Sequence, residues 1–209
     1  MILSLIYMDH ILYINLHKRP DRKEHVEQQL QQLGYTGTRM EAVECVQGAI
    51  GCGQSHIQCL EYAQEQNWPY VCIMEDDITF TNPTLFKSQL RTFQSRVKQW
   101  DVLLLGTNMG FPFQQCKGYL RVFNAQTTTG YIVKKHYYSA LLDTFKESVR
   151  QLQQEYTPSL YAIDIQWKTL QRAGHWYVLF PLTIVQREDY SNIEETRVNF
   201  IRHMLNPFK

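Results

Sequence analysis

The sequence predicts a single α/β domain built on a mixed, mostly parallel sheet flanked by helices, and three observations carry that expectation. Apolar runs of strand length alternate with amphipathic stretches of helical period, which is the βαβ pattern. Of the 209 residues, 44% are hydrophobic, and there are 13 Tyr, 10 Phe and 4 Trp, enough for a substantial core. One of the apolar runs, Tyr70-Val71-Cys72-Ile73-Met74, ends abruptly in Glu75-Asp76-Asp77. Acids at the carboxyl end of a buried strand emerge at the sheet rim, where α/β proteins place ligands.

The elements follow in order. Ile11 to Leu16 reads as a first buried strand. Pro20 suits the first turn of a helix and Asp21 the positive helix start; Val26, Leu30 and Leu33 give that helix its apolar face, and Gly34 ends it. Arg39 to Val43 is a second strand. After Gly48 and Gly51-Cys52-Gly53, a helix is expected from about Ser55 to Gln66, closed by Asn67 and Pro69. The strand ending at Glu75 follows, then a helix over Phe86 to Val97 and a strand over Asp101 to Leu105. In the second half, Tyr119 to Phe123 and Thr129 to Val133 read as strands. Tyr137 to Gln154 reads as a long helix with Leu141, Leu142, Phe145 and Val149 on one side. Ile163 to Leu170 reads as a short helix, Trp176 to Phe180 as a strand, and the tail after Asp189 mainly as loop and helix. There is no linker composition and no internal repeat, so residues 1–209 are taken as one domain.

Charge excludes some functions. With 21 basic and 20 acidic residues the formal net charge is +1, so no nucleic-acid partner is expected. The apolar start, Met1 to Met8, is too short to span a bilayer and lacks a basic leader, so neither a secretory signal nor a transmembrane segment is expected. The five cysteines are odd in number and lack zinc-type spacing, which points to free thiols in a reducing compartment; with no signal or anchor expected, the cytosol of a bacterium or of a virus's host is the expected location. Cys52 and Cys59 are seven apart and share a helix face, which core packing explains better than metal binding.

Three adjacent carboxylates repel one another, and burying them unpaired is costly. A divalent cation shared with a bound phosphate removes that cost. Glu75 and Asp77 have the E-x-D spacing that puts alternate side chains on one face of an extended segment. An oxygen-only set suits Mg2+ or Mn2+; an acidic turn capping the next segment is the plainer alternative. Asn15 to Arg22 joins the first strand to the first helix, where backbone N–H groups attract anions and Arg19 and Arg22 add positive charge. Asn15 could read a nucleobase edge; a capped helix with a solvated basic turn is the alternative. The glycine-rich stretch before Ser55-His56 is neither a P-loop nor G-x-G-x-x-G. It allows close backbone approach, but an N-cap Ser55 and a packed His56 explain it as well. Thr127-Thr128-Thr129-Gly130 groups hydroxyls with a flexible residue, Asp164 is an acid among apolar residues suited to a general base or an N-cap, and Gln186 with Arg187 ends a strand.

Taken together, these segments resemble glycosyltransferase family 25, which includes lipopolysaccharide glycosyltransferases and procollagen galactosyltransferases. The resemblance rests on Tyr13-Ile14-Asn15-Leu16 with Arg19, Asp21 and Arg22; Gly51 with Ser55-His56; Met74-Glu75-Asp76-Asp77; Thr128-Thr129-Gly130-Tyr131; Ile163-Asp164; and Pro181 with Gln186. It runs from about residue 11 to 193, leaving 194–209 as an extension. It implies a GT-A-like, Rossmann-like fold, a nucleotide-sugar donor, usually Mn2+, and a glycan or protein hydroxyl as acceptor. The resemblance puts Asp77 on the metal, with Glu75 or Asp76 on the ribose or the ion. Asn15, Arg19, Arg22, Ser55, His56, Thr129, Gly130 and Gln186 then line the donor site, and Asp164 is the acceptor-side base. The extension mixes Arg197, Arg202, His203 and Lys209 with Phe200, Ile201 and Phe208, so it is expected to pack on the domain or to make a peripheral membrane or partner contact.

Overall fold

A computed structural model describes residues 8–191, 196–198 and 204. The chain runs β1 (Ile11–Asn15), α1 (Pro20–Gln32), β2 (Thr38–Glu41), α2 (Gly48–Glu65), β3 (Tyr70–Glu75), β4 (Ile78–Phe80), α3 (Pro83–Arg96) and β5 (Val102–Met109). It continues through β6 (Phe113–Cys116), β7 (Tyr119–Val122), β8 (Ala125–Lys134), a 3-10 turn, α4 (Tyr138–Gln154), α5 (Pro158–Tyr161), α6 (Ile163–Gln166) and α7 (Lys168–Ala173). The remaining described elements are β9 (Trp176–Leu179), β10 (Ile184–Gln186), β11 (Asp189–Ser191) and β12 (Thr196–Val198).

The central sheet has the order β2-β1-β3-β8-β5-β9-β7-β6. β1 is parallel to β2 and β3, and β5 to β9, while β8 is antiparallel to both β3 and β5, and β7 to both β9 and β6. Six strands therefore point one way and two the other, which is the mixed, mostly parallel sheet the sequence predicts. Alternation sorts the side chains. Leu12, Ile14, Val71, Ile73, Leu104 and Val133 face α2, α4 and α6, where they meet Leu60, Phe145 and Trp167. Ile11, Tyr13, Cys72, Met74, Leu103 and Ile132 face α1 and α3, where they meet Leu30, Phe86 and Phe93. A strand covered on both faces reads as a continuous apolar run, and β3 is buried along all but its last residue.

Several boundaries differ from expectation. α2 begins at Gly48, so the glycines form its first turns and Ser55-His56 lie inside the helix, not at its start. Close packing is the reason. A Cβ on Gly51 would stand 2.5 Å from the Val43 carbonyl oxygen, and one on Gly53 2.6 Å from Val149 Cγ2 on α4. Glycine costs helix propensity here and gains close approach. The helix expected over Ile163 to Leu170 is two, α6 and α7, separated at Trp167. The described part of the tail contains a two-stranded antiparallel pair, β11 with β12, where loop and helix were expected. The rest of the carboxyl extension, apart from Met204, lies outside the described residues.

Candidate active site

The site forms where three elements end at one rim. β1 and β3 are parallel, so Asn15 and Glu75 share the same end of the sheet. β8 runs the other way, with Gly130 opposite Met74, so its opening residues Thr127 to Thr129 return to that rim. β4 pairs with β10, setting Gln186 opposite Ile78 and bringing it back over Glu75.

Each acid is held differently. Thr128 Oγ1 donates to Glu75 Oε1 at 2.5 Å, His56 Nε2 stands 3.5 Å from the same oxygen, and Gln186 Nε2 donates to Oε2 at 3.3 Å. Burial pushes the Glu75 carboxyl up, but His56, Thr128 and the Arg22 charge together hold it below the ordinary range. Asp76 accepts from Asn15 Nδ2 at 2.7 Å and pairs with Arg22 Nη1 at 3.2 Å; burial still raises it. Asp77 Oδ2 lies 3.9 Å from Arg22 Nη1, while its buried Oδ1 has no hydrogen-bond partner among the described residues. Burial, followed by the Glu75 charge, pushes Asp77 well above the ordinary range. A buried carboxylate oxygen without a donor is costly.

Asn15 is the framework of this corner. Its Nδ2 also donates to the Arg19 carbonyl at 3.0 Å, and its Oδ1 accepts from Arg39 Nε at 2.9 Å. Both amide hydrogens are therefore engaged, in a residue only 1% exposed. Arg19 makes a two-pronged contact with Asp21, at 2.9 and 2.8 Å, at the start of α1. Ser55 is committed to backbone: its hydroxyl donates to Gly51 O at 2.7 Å and accepts from Val43 N at 2.9 Å. His56 is fully buried and reaches Tyr131 OH through Nδ1 at 3.0 Å. Thr129 is fully buried with an unpartnered Oγ1 among the described residues, and a Cβ on Gly130 would stand 3.0 Å from Ile78 Cδ1.

Asp164 sits in the first turn of α6, whose N-cap is Ala162, so the capping role is not the one it plays. Its Oδ2 accepts from the Thr127 amide at 2.9 Å. Thr127 has φ +81°, the left-handed region that a β-branched residue rarely adopts, and this hydrogen bond helps hold it there. Burial raises the Asp164 carboxyl, with the Thr127 amide opposing.

The structure thus gathers Asn15, Arg22, His56, Glu75, Asp76, Asp77, Asp164 and Gln186 around one rim, and gives Ser55 a supporting place. Sequence reading missed Arg39, whose contacts orient Asn15, and Tyr131, whose hydroxyl orients His56. It weighed Cys52 only with Cys59 and favoured core packing, whereas the Cys52 sulfur lies within 4.8 Å of ligand atoms of both His56 and Glu75. The four-residue step from Cys52 to His56 becomes a signal only once the helix is seen to start at Gly48.

Residues 44–156, more than half of the chain, match the profile of glycosyltransferase family 25, described as an LPS biosynthesis protein family. The chain belongs to glycosyltransferase family 25. The match is narrower than the span from 11 to 193 expected from the sequence. No curated protein matches. Among solved structures, the chain is similar to a mannose-1-phosphate geranyltransferase from Thermus thermophilus, with 10% identity, TM-score 0.47, and coverage of 80% of this chain and 58% of that one. It is also similar to a glycosyltransferase involved in glycosylating the major capsid of PBCV-1, with 13% identity, TM-score 0.43, and coverage of 89% and 95%. A nucleoside-diphosphate-sugar pyrophosphorylase from Vibrio cholerae gives 16% identity, TM-score 0.43, and coverage of 87% and 78%. No helix among the described residues is long and apolar enough to cross a membrane.

Proposed function

We propose that this chain transfers a sugar from a nucleotide-diphosphate donor, a UDP-sugar, to a hydroxyl of a glycan or protein acceptor, on a GT-A-like framework. The observation that carries the reading is Asp77 Oδ1, a buried carboxylate oxygen with no donor among the described residues, beside two further acids at the end of β3. That oxygen fits a hard divalent cation, Mn2+ or Mg2+, with Asp77 as the principal ligand and Glu75 beside it. When bound, the cation neutralises charge on the departing diphosphate. Arg22 adds a fixed positive charge at the same corner, and Arg19 stands at the helix start where a phosphate would dock. Asn15, held by Arg39, keeps Asp76 in place. Thr129, Gly130 and Gln186 border the donor from the β8 and β10 side.

Asp164 is the group we assign to the acceptor. Burial favours its protonated form, so once ionised it is a stronger base than an ordinary aspartate. It takes the acceptor hydroxyl proton as that oxygen attacks the anomeric carbon and the nucleoside diphosphate leaves. The five free thiols are in keeping with a reducing, cytosolic setting, with any membrane contact peripheral.

The test is turnover of UDP-sugars with Mn2+, read as release of UDP. Release that disappears in Asp77→Ala with the fold intact supports the reading. Release of pyrophosphate from a nucleoside triphosphate and a sugar 1-phosphate, with UDP-sugars left intact, would assign a nucleotidyltransferase, and donor binding without turnover in any sugar and acceptor screen would assign a binding homologue.

A further inference from the structure

The reading above leaves Cys52 without a role. Cys52 and His56 are four residues apart on α2 and project from the same face. Glu75 approaches them from the end of β3. One sulfur, one imidazole nitrogen and one carboxylate oxygen of this trio all lie within 4.8 Å of one another, and His56 Nε2 is 3.5 Å from Glu75 Oε1. Ligand atoms around a tetrahedral zinc ion stand about 3.4–3.6 Å apart, as bonds of about 2.0–2.3 Å require. Distances no wider than 4.8 Å need to close by at most about 1.3 Å to reach that spacing.

The surroundings also suit an ion. Tyr131 OH sits 3.0 Å from His56 Nδ1. A hydroxyl can donate or accept, so it can accept a hydrogen bond from Nδ1–H when Nε2 is given to a metal. Glu75 keeps 21% of its side chain exposed, while His56 keeps 1%, so an ion would enter from the carboxylate side.

We propose that Cys52, His56 and Glu75 form a second cation site, suited to a thiophilic divalent ion such as Zn2+, with its fourth position open. It shares Glu75 with the oxygen-only environment at Asp77, and Cys52 and His56 add the sulfur and nitrogen donors that set it apart. Binding releases the Cys52 proton to solvent and forms the sulfur–metal bond, with no change of oxidation state. The site stands whether or not the chain turns over a nucleotide sugar.

Co2+ bound to the reduced, metal-free protein tests this directly, without any donor present. The expected result is one thiolate-bound ion per chain, with a near-ultraviolet thiolate-to-cobalt charge-transfer band and the visible spectrum of a tetrahedral site, both bleached by Zn2+. Cys52→Ser should abolish the band, Cys116→Ser should keep it, and Tyr131→Phe should weaken Zn2+ binding about tenfold. A spectrum without charge transfer, no Co2+ binding, or a band that survives in Cys52→Ser would overturn the proposal. Should Cys52→Ser fail to fold, alkylation of Cys52 in the unmodified protein decides: Zn2+ protection supports the site, and equal labelling with and without Zn2+ refutes it.

Discussion

At the residue scale, the acids of the rim divide between those that are satisfied and one that is not. Glu75 and Asp76 each accept hydrogen bonds from named donors, whereas Asp77 Oδ1 has none among the described residues. Asp77→Asn should therefore leave the melting temperature unchanged or raise it, because it removes a buried carboxyl disfavoured by burial and by Glu75. The same change should lower UDP release by about 100-fold or more, the scale of losing one electrostatic contact in a transition state. Asp164 gives a pH-dependent expectation. Its folded-state affinity for a proton is raised above that of the unfolded chain, so its contribution to stability falls as pH rises from the ordinary carboxyl range through the raised value. Asp164→Asn should abolish that fall in denaturant unfolding followed against pH, since an amide oxygen can still accept from Thr127. If Asp164 is the base, the variant also loses about 10²–10⁴-fold in turnover. The acid run and Asp164 were legible in the sequence because charged residues at the end of, or within, apolar runs stand out. Arg39 and Tyr131 were not, because their importance lies in what they orient across the fold.

At the element scale, β3 and α4 were readable because a buried strand and a long amphipathic helix have unambiguous patterns. β4 and β10 have three residues each, too few for a period to register, yet their pairing returns Gln186 to Glu75. The start of α2 was misplaced for a different reason. Gly48, Gly51 and Gly53 read locally as loop residues, and only contact with the Val43 carbonyl and with Val149 explains a helix there. Gly51→Ala should cost about 1–3 kcal/mol, the usual penalty for overpacking. A shift of the urea midpoint, with the m-value unchanged, measures it. Cys52 lies between those glycines, so the close approach that shapes the helix also sets the sulfur opposite Glu75.

At the scale of the whole molecule, one sheet separates two apolar layers, and its centre is the β3-β8-β5 set. Amide hydrogen exchange should be slowest in these three strands and faster in β2 and β6, which form the sheet's edges. Trp167 ties the α6–α7 corner to the sheet: it is fully buried, donates Nε1–H to Ala125 O at 2.9 Å, and packs edge-on against Trp176 at 5.2 Å. Trp167→Ala should cost about 3–5 kcal/mol in denaturant unfolding, and with α6 loosened the contact between Asp164 and Thr127 should weaken. The sequence by itself determined the α/β class, the double-faced burial of β3, the acidic end of that strand and the family, because periodicity and residue type are local properties of the chain. Only the tertiary structure decided that antiparallel β8 enters between β3 and β5, that Gln186 folds back onto Glu75, and that Cys52 faces His56 and Glu75. Those outcomes depend on strand direction and on how closely backbones approach, and neither is encoded in any single segment.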